Sequence, residues 1–185
     1  MSEGRGSVKP EGPPRLPDGI LEELSSRLTR DEAPFLRYLP KQLSLEWAES
    51  TENRLGFTRF ECDHHKLFRR RRLRGSPGPV TVALHPRLIS DEKLFRHTLV
   101  HELLHAAGLI DHGNRHSDLV KEISPAPKLA ESPVLRGMRE EVLAGLPERS
   151  WICGECGHTW ERRRVSIPQR CPKCARPFKG KSEST

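Results

Sequence analysis

Apolar positions along this chain fall into two rhythms. Ile20, Leu21, Leu24 and Leu28 recur at helical spacing, with Asp18 placed to cap the run. Thr29 and Glu32 form a capping-box pair that opens a second short helical run through Phe35, Leu36 and Leu39, before Pro40. The rhythm then shortens. Leu43-Ser-Leu-Glu-Trp47 alternates apolar and polar as a half-buried strand does, Phe57-Thr-Arg-Phe60 reads as a second strand, and Val80-Thr-Val-Ala-Leu84, between Pro79 and Pro86, as a third. Helical spacing returns at Leu94, Leu99, Leu103 and Ala106, with Asp91 and Glu92 where a first turn favours acids and Gly108 as a stop. Leu119, Val120 and Ile123 predict a short amphipathic helix ended by Pro125. Past a Pro-rich stretch from Ser124 to Ser132, Ser132 and Pro133 stand as N-cap and N1 of another helix, with Val134, Leu135, Met138 and Val142 on one face and Gly145 near its end. The expected class is α+β, with a small antiparallel sheet ahead of the Leu94–Ala106 helix.

Composition bounds this picture. At 185 residues the chain has room for one modest domain plus a small appended module. Aromatics make up 5% and charged residues 31%, so the core must be small. The formal charge of +7 and a pI near 9.5 suit nucleic acid or another polyanion as partner. No stretch approaches the apolar length of a membrane span, and the N-terminus lacks the apolar core of a signal peptide, so a soluble, intracellular protein is expected. Residues 1–17 are Gly, Pro and charge and are expected to lack order, as is the tail 181–185. Between them the expected organisation is a domain over 18–124, a Pro-rich linker and helix over 125–149, and a compact module over 150–180.

The chemistry concentrates in two places. In His101-Glu-Leu-Leu-His105 the histidines are four apart, so a helix projects both imidazoles from one face. Glu102 sits beside the first, where its carboxylate reaches a metal-bound water rather than the metal. That is the content of H-E-x-x-H: two nitrogen ligands, one general base and a rigid element fixing their separation. A catalytic zinc site takes a third protein ligand and keeps one position open. Asp111, His112 and His116 are the candidates, Asp111 falling where the pattern H-E-x-x-H-x-x-G-x-x-H places a histidine. The second place is the tail, where Cys153-Gly-Glu-Cys156 and Cys171-Pro-Lys-Cys174 are separated by fourteen residues. Two such knuckles have zinc-ribbon spacing, with four thiolates able to close a structural site. So short a module buries little, and metal binding should supply most of its folding energy. Cys62, His64 and His65 are too tightly spaced to form a tetrahedral site and read as structural or surface residues. The run from Arg69 to Arg74 is either a solvated edge or a phosphate-contacting strip.

The stretch around His101 resembles the SprT-like (Spartan-type) metalloprotease family: a helix with H-E-x-x-H, a variable gap, then a His-Gly, here His112-Gly113. The likeness covers roughly Leu43 to Ile123 and extends to the tail, because that family carries a similar ribbon with an aromatic before the first Cys and an Arg-rich strand after it. Here those are Trp151 and Arg162-Arg163-Arg164. The resemblance implies a zincin-like fold and His112 as the third ligand, with His116 where a bulky residue packs beneath it. It also implies two zinc ions, one catalytic and one structural, and proteins attached to DNA as substrates.

From Ser150 to Thr185 there are eight Lys and Arg against three Asp and Glu, a formal +5, with Trp151, Trp160 and Phe178 among them. Trp160 beside Arg162, Arg163 and Arg164 suits DNA, single-stranded DNA above all. The expected activity is therefore zinc-dependent endoproteolysis, in the cytoplasm or at the nucleoid or nucleus. Two other readings compete with it. One is a nucleic-acid-binding zinc protein with an inactive zincin site. The other is a protease of non-DNA substrates, with Asp111 as third ligand or a ribbon that binds protein.

Overall fold

A computed structural model describes residues 11–147 and 149–181; residues 1–10 and 182–185, part of the termini expected to lack order, lie outside the described residues. The chain is mixed α+β and divides into two compact units, with the boundary after Val134. The Pro-rich stretch before that point therefore belongs to the first unit. Its Ser132 hydroxyl donates to Asp91, and Ser132 is fully buried.

The first unit opens with α1 (Ile20–Arg27), whose Ile20 and Leu24 are buried. Its N-cap is Gly19 in the left-handed region at φ 76°, without a side-chain cap, so Asp18 does not take the role its position suggested. Thr29 and Glu32 do form reciprocal bonds: the Thr29 amide donates to Glu32 Oε2 at 2.9 Å and the Glu32 amide to Thr29 Oγ1 at 3.3 Å. They close a turn rather than start a helix. The helical run begins only at Leu36, as a 3-10 turn leading into α2 (Leu39–Gln42), where Pro40 sits in the first turn and its missing N–H costs nothing.

Strands β1 (Leu43–Trp47), β2 (Gly56–Phe60) and β3 (Val80–Leu84) fall where alternation placed them. The sheet is mixed, not antiparallel. Its order is β1-β3-β2, with β3 parallel to β1 (Leu43 opposite Val80) and antiparallel to β2 (Gly56 opposite Leu84). The chain skips one slot between β1 and β2, and β3 then fills it. A central strand is covered on both faces, which is why Val80, Val82, Ala83 and Leu84 are all buried. Between β2 and β3 runs α3 (His64–Arg72), capped by Asp63, whose Oδ1 accepts from the Lys66 amide at 2.9 Å. This helix takes in His64, His65 and Arg69 to Arg72 of the residues read as surface and charge run, with Cys62 before it and Arg74 after it.

Helix α4 (Glu92–Ala107) packs on β2 and β3. Nine of its sixteen residues are buried, from Leu94 to Ala107, so it is a core helix rather than a surface one. Asp91 caps its start, accepting from the Leu94 amide at 3.0 Å. Gly108 ends it at φ 110°, and a Cβ there would stand 3.0 Å from Pro34 Cδ, so both conformation and space require glycine. The Phe35 amide then donates to the Ala107 carbonyl at 3.0 Å, satisfying one of the last carbonyls of α4. Helix α5 (Asn114–Ile123) buries His116, Leu119, Val120 and Ile123. Arg115, near its start, donates to Glu32 Oε1 at 2.7 Å and to the Arg27 carbonyl at 2.9 Å, tying α5 to the first segment. Ahead of α1, Pro14 is buried and the Trp47 indole donates to the Gly12 carbonyl at 2.7 Å.

The second unit holds most of α6 (Pro133–Ala144), with Pro133 at its first position, and a sheet of order β5-β4-β6 from β4 (Ser150–Cys153), β5 (Thr159–Glu161) and β6 (Gly180–Lys181).

These contacts set two expectations for stability. Asp91 both caps α4 and accepts from the buried Ser132, so Asp91→Ala should lower unfolding free energy by about 2 kcal/mol in urea melts, with the slope unchanged. The Glu32 carboxyl is held down to about 2, first by the Thr29 amide and then by Arg115. A depressed carboxyl stabilises the fold fully above its unfolded pKa near 4.5 and loses that contribution as pH falls toward about 2. Glu32→Gln should therefore be less stable than the parent at pH 7 and indistinguishable from it below about pH 2 in matched melts.

Candidate functional site

Helix α4 carries the first site. His101 and His105 lie one turn apart on it, and their Nε2 atoms stand 3.2 Å from each other. His112 comes from the connector between α4 and α5, and its Nε2 is 3.2 Å from that of His101 and 3.0 Å from that of His105. Zinc–nitrogen bonds of about 2.0–2.1 Å in a tetrahedron put nitrogens about 3.4 Å apart, so the three imidazoles already converge to within a few tenths of an ångström of a metal-binding triangle. The His105 ring is oriented by its other nitrogen, with Nδ1 2.8 Å from the Leu109 carbonyl. A proton held there leaves Nε2 bare and aimed at the triangle. Burial is the main cause that pushes His101 down to about 4, helped by its histidine neighbours, and burial also lowers His105. Neutral imidazoles are what a metal requires.

His116 is the third member, with His101 and His105, of a group whose ligand nitrogens all lie within 4.8 Å of one another, so it competes with His112 for the third position. Its surroundings favour a different role. Its Nε2 lies 3.3 Å from the His101 carbonyl, its ring stacks on His105 at 4.4 Å and 21°, and it is 2% exposed. His112 is exposed, and that side of the triangle is open. The Nε2 atoms of His101, His105 and His112 stand 3.0–3.2 Å apart, and the buried His116 ring stacks on His105. Asp111 is exposed.

Glu102 is 6% exposed and lies toward the sheet. The Thr58 hydroxyl on β2 lies 2.9 Å from both Glu102 Oε2 and the Glu102 backbone carbonyl. Burial raises the Glu102 carboxyl above its ordinary value, with the Thr58 hydrogen bond and Arg54 opposing. Gly56 makes this approach possible. A Cβ on Gly56 would meet Thr98 Cγ2 at 2.8 Å, Glu102 Cγ at 3.0 Å and Glu102 Oε1 at 3.3 Å. Neither Thr58 nor Arg54 carries a signal in the sequence, since a threonine in a strand and an arginine in a loop are ordinary.

The tail forms the second site. The Sγ atoms of Cys153 and Cys174, and of Cys156 and Cys171, are 3.8 Å apart, and all four lie within 4.8 Å of one another. Zinc–sulfur bonds of about 2.3 Å give sulfur–sulfur distances of about 3.8 Å, whereas a disulfide would need about 2 Å. The two knuckles share one backbone. In each, the residue after the second cysteine is left-handed, Gly157 at φ 68° and Ala175 at φ 56°. Its amide returns to the first cysteine's carbonyl, at 2.8 Å from Gly157 to Cys153 and 3.0 Å from Ala175 to Cys171. The chain thus carries two candidate metal-binding groups, one of histidines and one of cysteines, both with zinc-like spacing.

The aromatics of this unit pack on one another. Trp151 is buried, Phe178 meets Trp151 and Trp160 edge-on at 5.6 and 5.3 Å, and His158 stacks on Trp160 at 5.7 Å. Arg162 lies over the Trp151 ring at 4.6 Å. Arg163 pairs with Glu161 at 3.3 Å, and Arg164 is exposed. The three arginines follow β5 rather than forming part of it.

Comparisons of the chain with family models, curated proteins and solved structures find no match.

Purified protein should bind close to two zinc ions per chain by elemental analysis. Cys153→Ser with Cys156→Ser should leave about one and unfold the tail. His112→Ala should remove the other, while His116→Leu should keep it; the reverse result would make His116 the ligand.

Proposed function

We propose that the chain is a zinc-dependent endopeptidase of the SprT-like kind, with a zincin-like first unit and a structural zinc ribbon. The observation that carries this reading is the convergence of the His101, His105 and His112 nitrogens on one open face, with Glu102 next to it on the same helix. His101, His105 and His112 would hold a zinc ion, which would supply Lewis acidity toward a water and a scissile carbonyl. Glu102 takes the proton from the attacking water and passes it to the leaving amine. Its buried setting, restrained by Thr58, fixes the carboxylate for both transfers. His105 is held by Leu109 and His101 is backed by His116, so the ligand nitrogens stay in place through the cycle. Strand β2 is an edge strand, so an extended peptide could add to its free side beside Glu102.

The substrates under this reading are proteins bound or crosslinked to DNA, inside the cell, with DNA as partner through the basic ribbon. The net positive tail, with Arg163 and Arg164 exposed, supports that assignment. The packing of Trp160 favours a mainly electrostatic contact over base stacking. No helix of the described residues is long and apolar enough to cross a membrane.

The test is cleavage of a DNA-bound protein, with and without single-stranded DNA. Glu102→Gln should keep both metals and the fold while abolishing cleavage. If Glu102→Gln cleaves like the parent, or if zinc-loaded parent cleaves nothing, the histidine group has another purpose and the nucleic-acid-binding alternative takes over. Gly56→Ala should keep the metals but cut kcat by about a hundredfold, because a Cβ there displaces Glu102 by a fraction of an ångström to an ångström.

A further inference from the structure

Helix α3 holds a charge pattern that neither metal site uses. Its four consecutive arginines divide by direction. Leu67 is the buried residue of the helix, and Arg70 and Arg71 flank it. Arg70 donates to the Pro77 carbonyl at 2.6 Å and Arg71 Nε to the Gly108 carbonyl at 2.8 Å, so both fasten the helix to its surroundings. Arg69 and Arg72 are exposed, and neither has a carboxylate partner among the described residues. With His65 and Phe68 they follow the spacing i, i+3, i+4 and i+7, which places all four on one face, opposite Leu67.

That face is open and positively charged. Asp31, which borders this face, is paired with Arg74 at 2.5 Å, and Asp63, the cap of the helix, is paired with Lys66 at 3.2 Å. His65, Phe68, Arg69, Arg71, Arg72 and Arg74 line an open groove here together with Asp31, the acid that Arg74 neutralises. Phe68 is 40% exposed, its ring held edge-on by His64 at 4.5 Å, so an aromatic face stands fixed among the guanidinium groups. Part of the arginine content serves the helix itself, since cations in a last turn offset its dipole. That role needs neither an exposed phenylalanine nor two unpaired forks on one stripe.

We propose that this face of α3 binds the backbone of single-stranded nucleic acid, as a contact on the first unit distinct from the basic tail. Arg69 and Arg72 take successive phosphates, for which the planar guanidinium fork is suited, and Phe68 offers a ring for an unpaired base. An acidic protein segment would satisfy the charges but not the aromatic. The inference goes beyond the protease reading and stands without it, because it is measured by binding alone.

The experiment is fluorescence anisotropy of the full, zinc-loaded chain with a labelled oligo-dT over a salt series. Arg69→Ala with Arg72→Ala should lower the log–log salt slope by about 1.4, at about 0.7 per phosphate, so the affinity lost between about 50 and 200 mM salt shrinks about sevenfold. Phe68→Ala should weaken single-strand binding at least about fivefold and duplex binding less. Both residue sets are exposed, so circular dichroism should be unchanged. Arg163→Ala with Arg164→Ala serves as the comparison in the tail. The proposal is overturned if the α3 variants bind within twofold of the parent with the same slope, whether the tail variants bind or not. It is also overturned if polyglutamate binds as tightly and with the same dependence on Arg69 and Arg72, which would make the face a contact for acidic protein.

Discussion

The arrangement of the first unit depends on how closely β2 can lie against α4. Strand and helix meet where Gly56 has no Cβ, and the Glu102 side chain fills that space. A helix buried along most of its length leaves few directions for a charged residue. Glu102 is accommodated because Thr58 reaches it from the strand. A buried carboxyl is costly unless hydrogen-bonded, and this one has a single hydroxyl partner from the sheet. The burial that stabilises α4 and the chemistry that α4 presents are therefore one constraint, and loosening the packing would blur the site first.

Much of this was legible in the sequence, for identifiable reasons. β1 and β3 show in full because alternation and flanking prolines are local signals, and α4 shows because Asp91 and Gly108 bracket an apolar run. Helix α3 does not show. Its one buried residue is Leu67, so no apolar period exists to read, and only Asp63 hints at a start. The mixed sheet is equally hidden, since strand order depends on which slot β3 enters and not on any property of its own residues. The choice among Asp111, His112 and His116 rested on resemblance at the sequence level. In the structure the left-handed turn at Gly108 and the Leu109 carbonyl aim the connector so that His112 faces the pair and His116 lies under it.

The tail reaches order by another route. Its two knuckles repeat one backbone turn, and the repetition was visible as paired C-x-x-C. What spacing could not convey is how crowded the turn is. A Cβ on Gly154 would stand 2.2 Å from the Lys179 carbonyl oxygen, so the first knuckle accepts only glycine at that point. Nor could it convey that Trp151, Trp160 and Phe178 pack on one another as a cluster.

The connector between α4 and α5 bears on how tightly the histidine group would hold an ion. Two of the three nitrogens are fixed relative to each other by a helix turn, and the third lies beyond the end of α4, past the span of four residues Gly108 to Asp111. Almost all the configurational freedom lost on capture therefore belongs to that span. Loop-closure entropy grows only with the logarithm of length, so inserting residues there would erode affinity slowly. A single residue inserted between His101 and His105 would rotate one imidazole by about 100° and end capture outright. The helix would set whether an ion binds and the connector how strongly, which would leave affinity adjustable through the loop without touching His101 or His105.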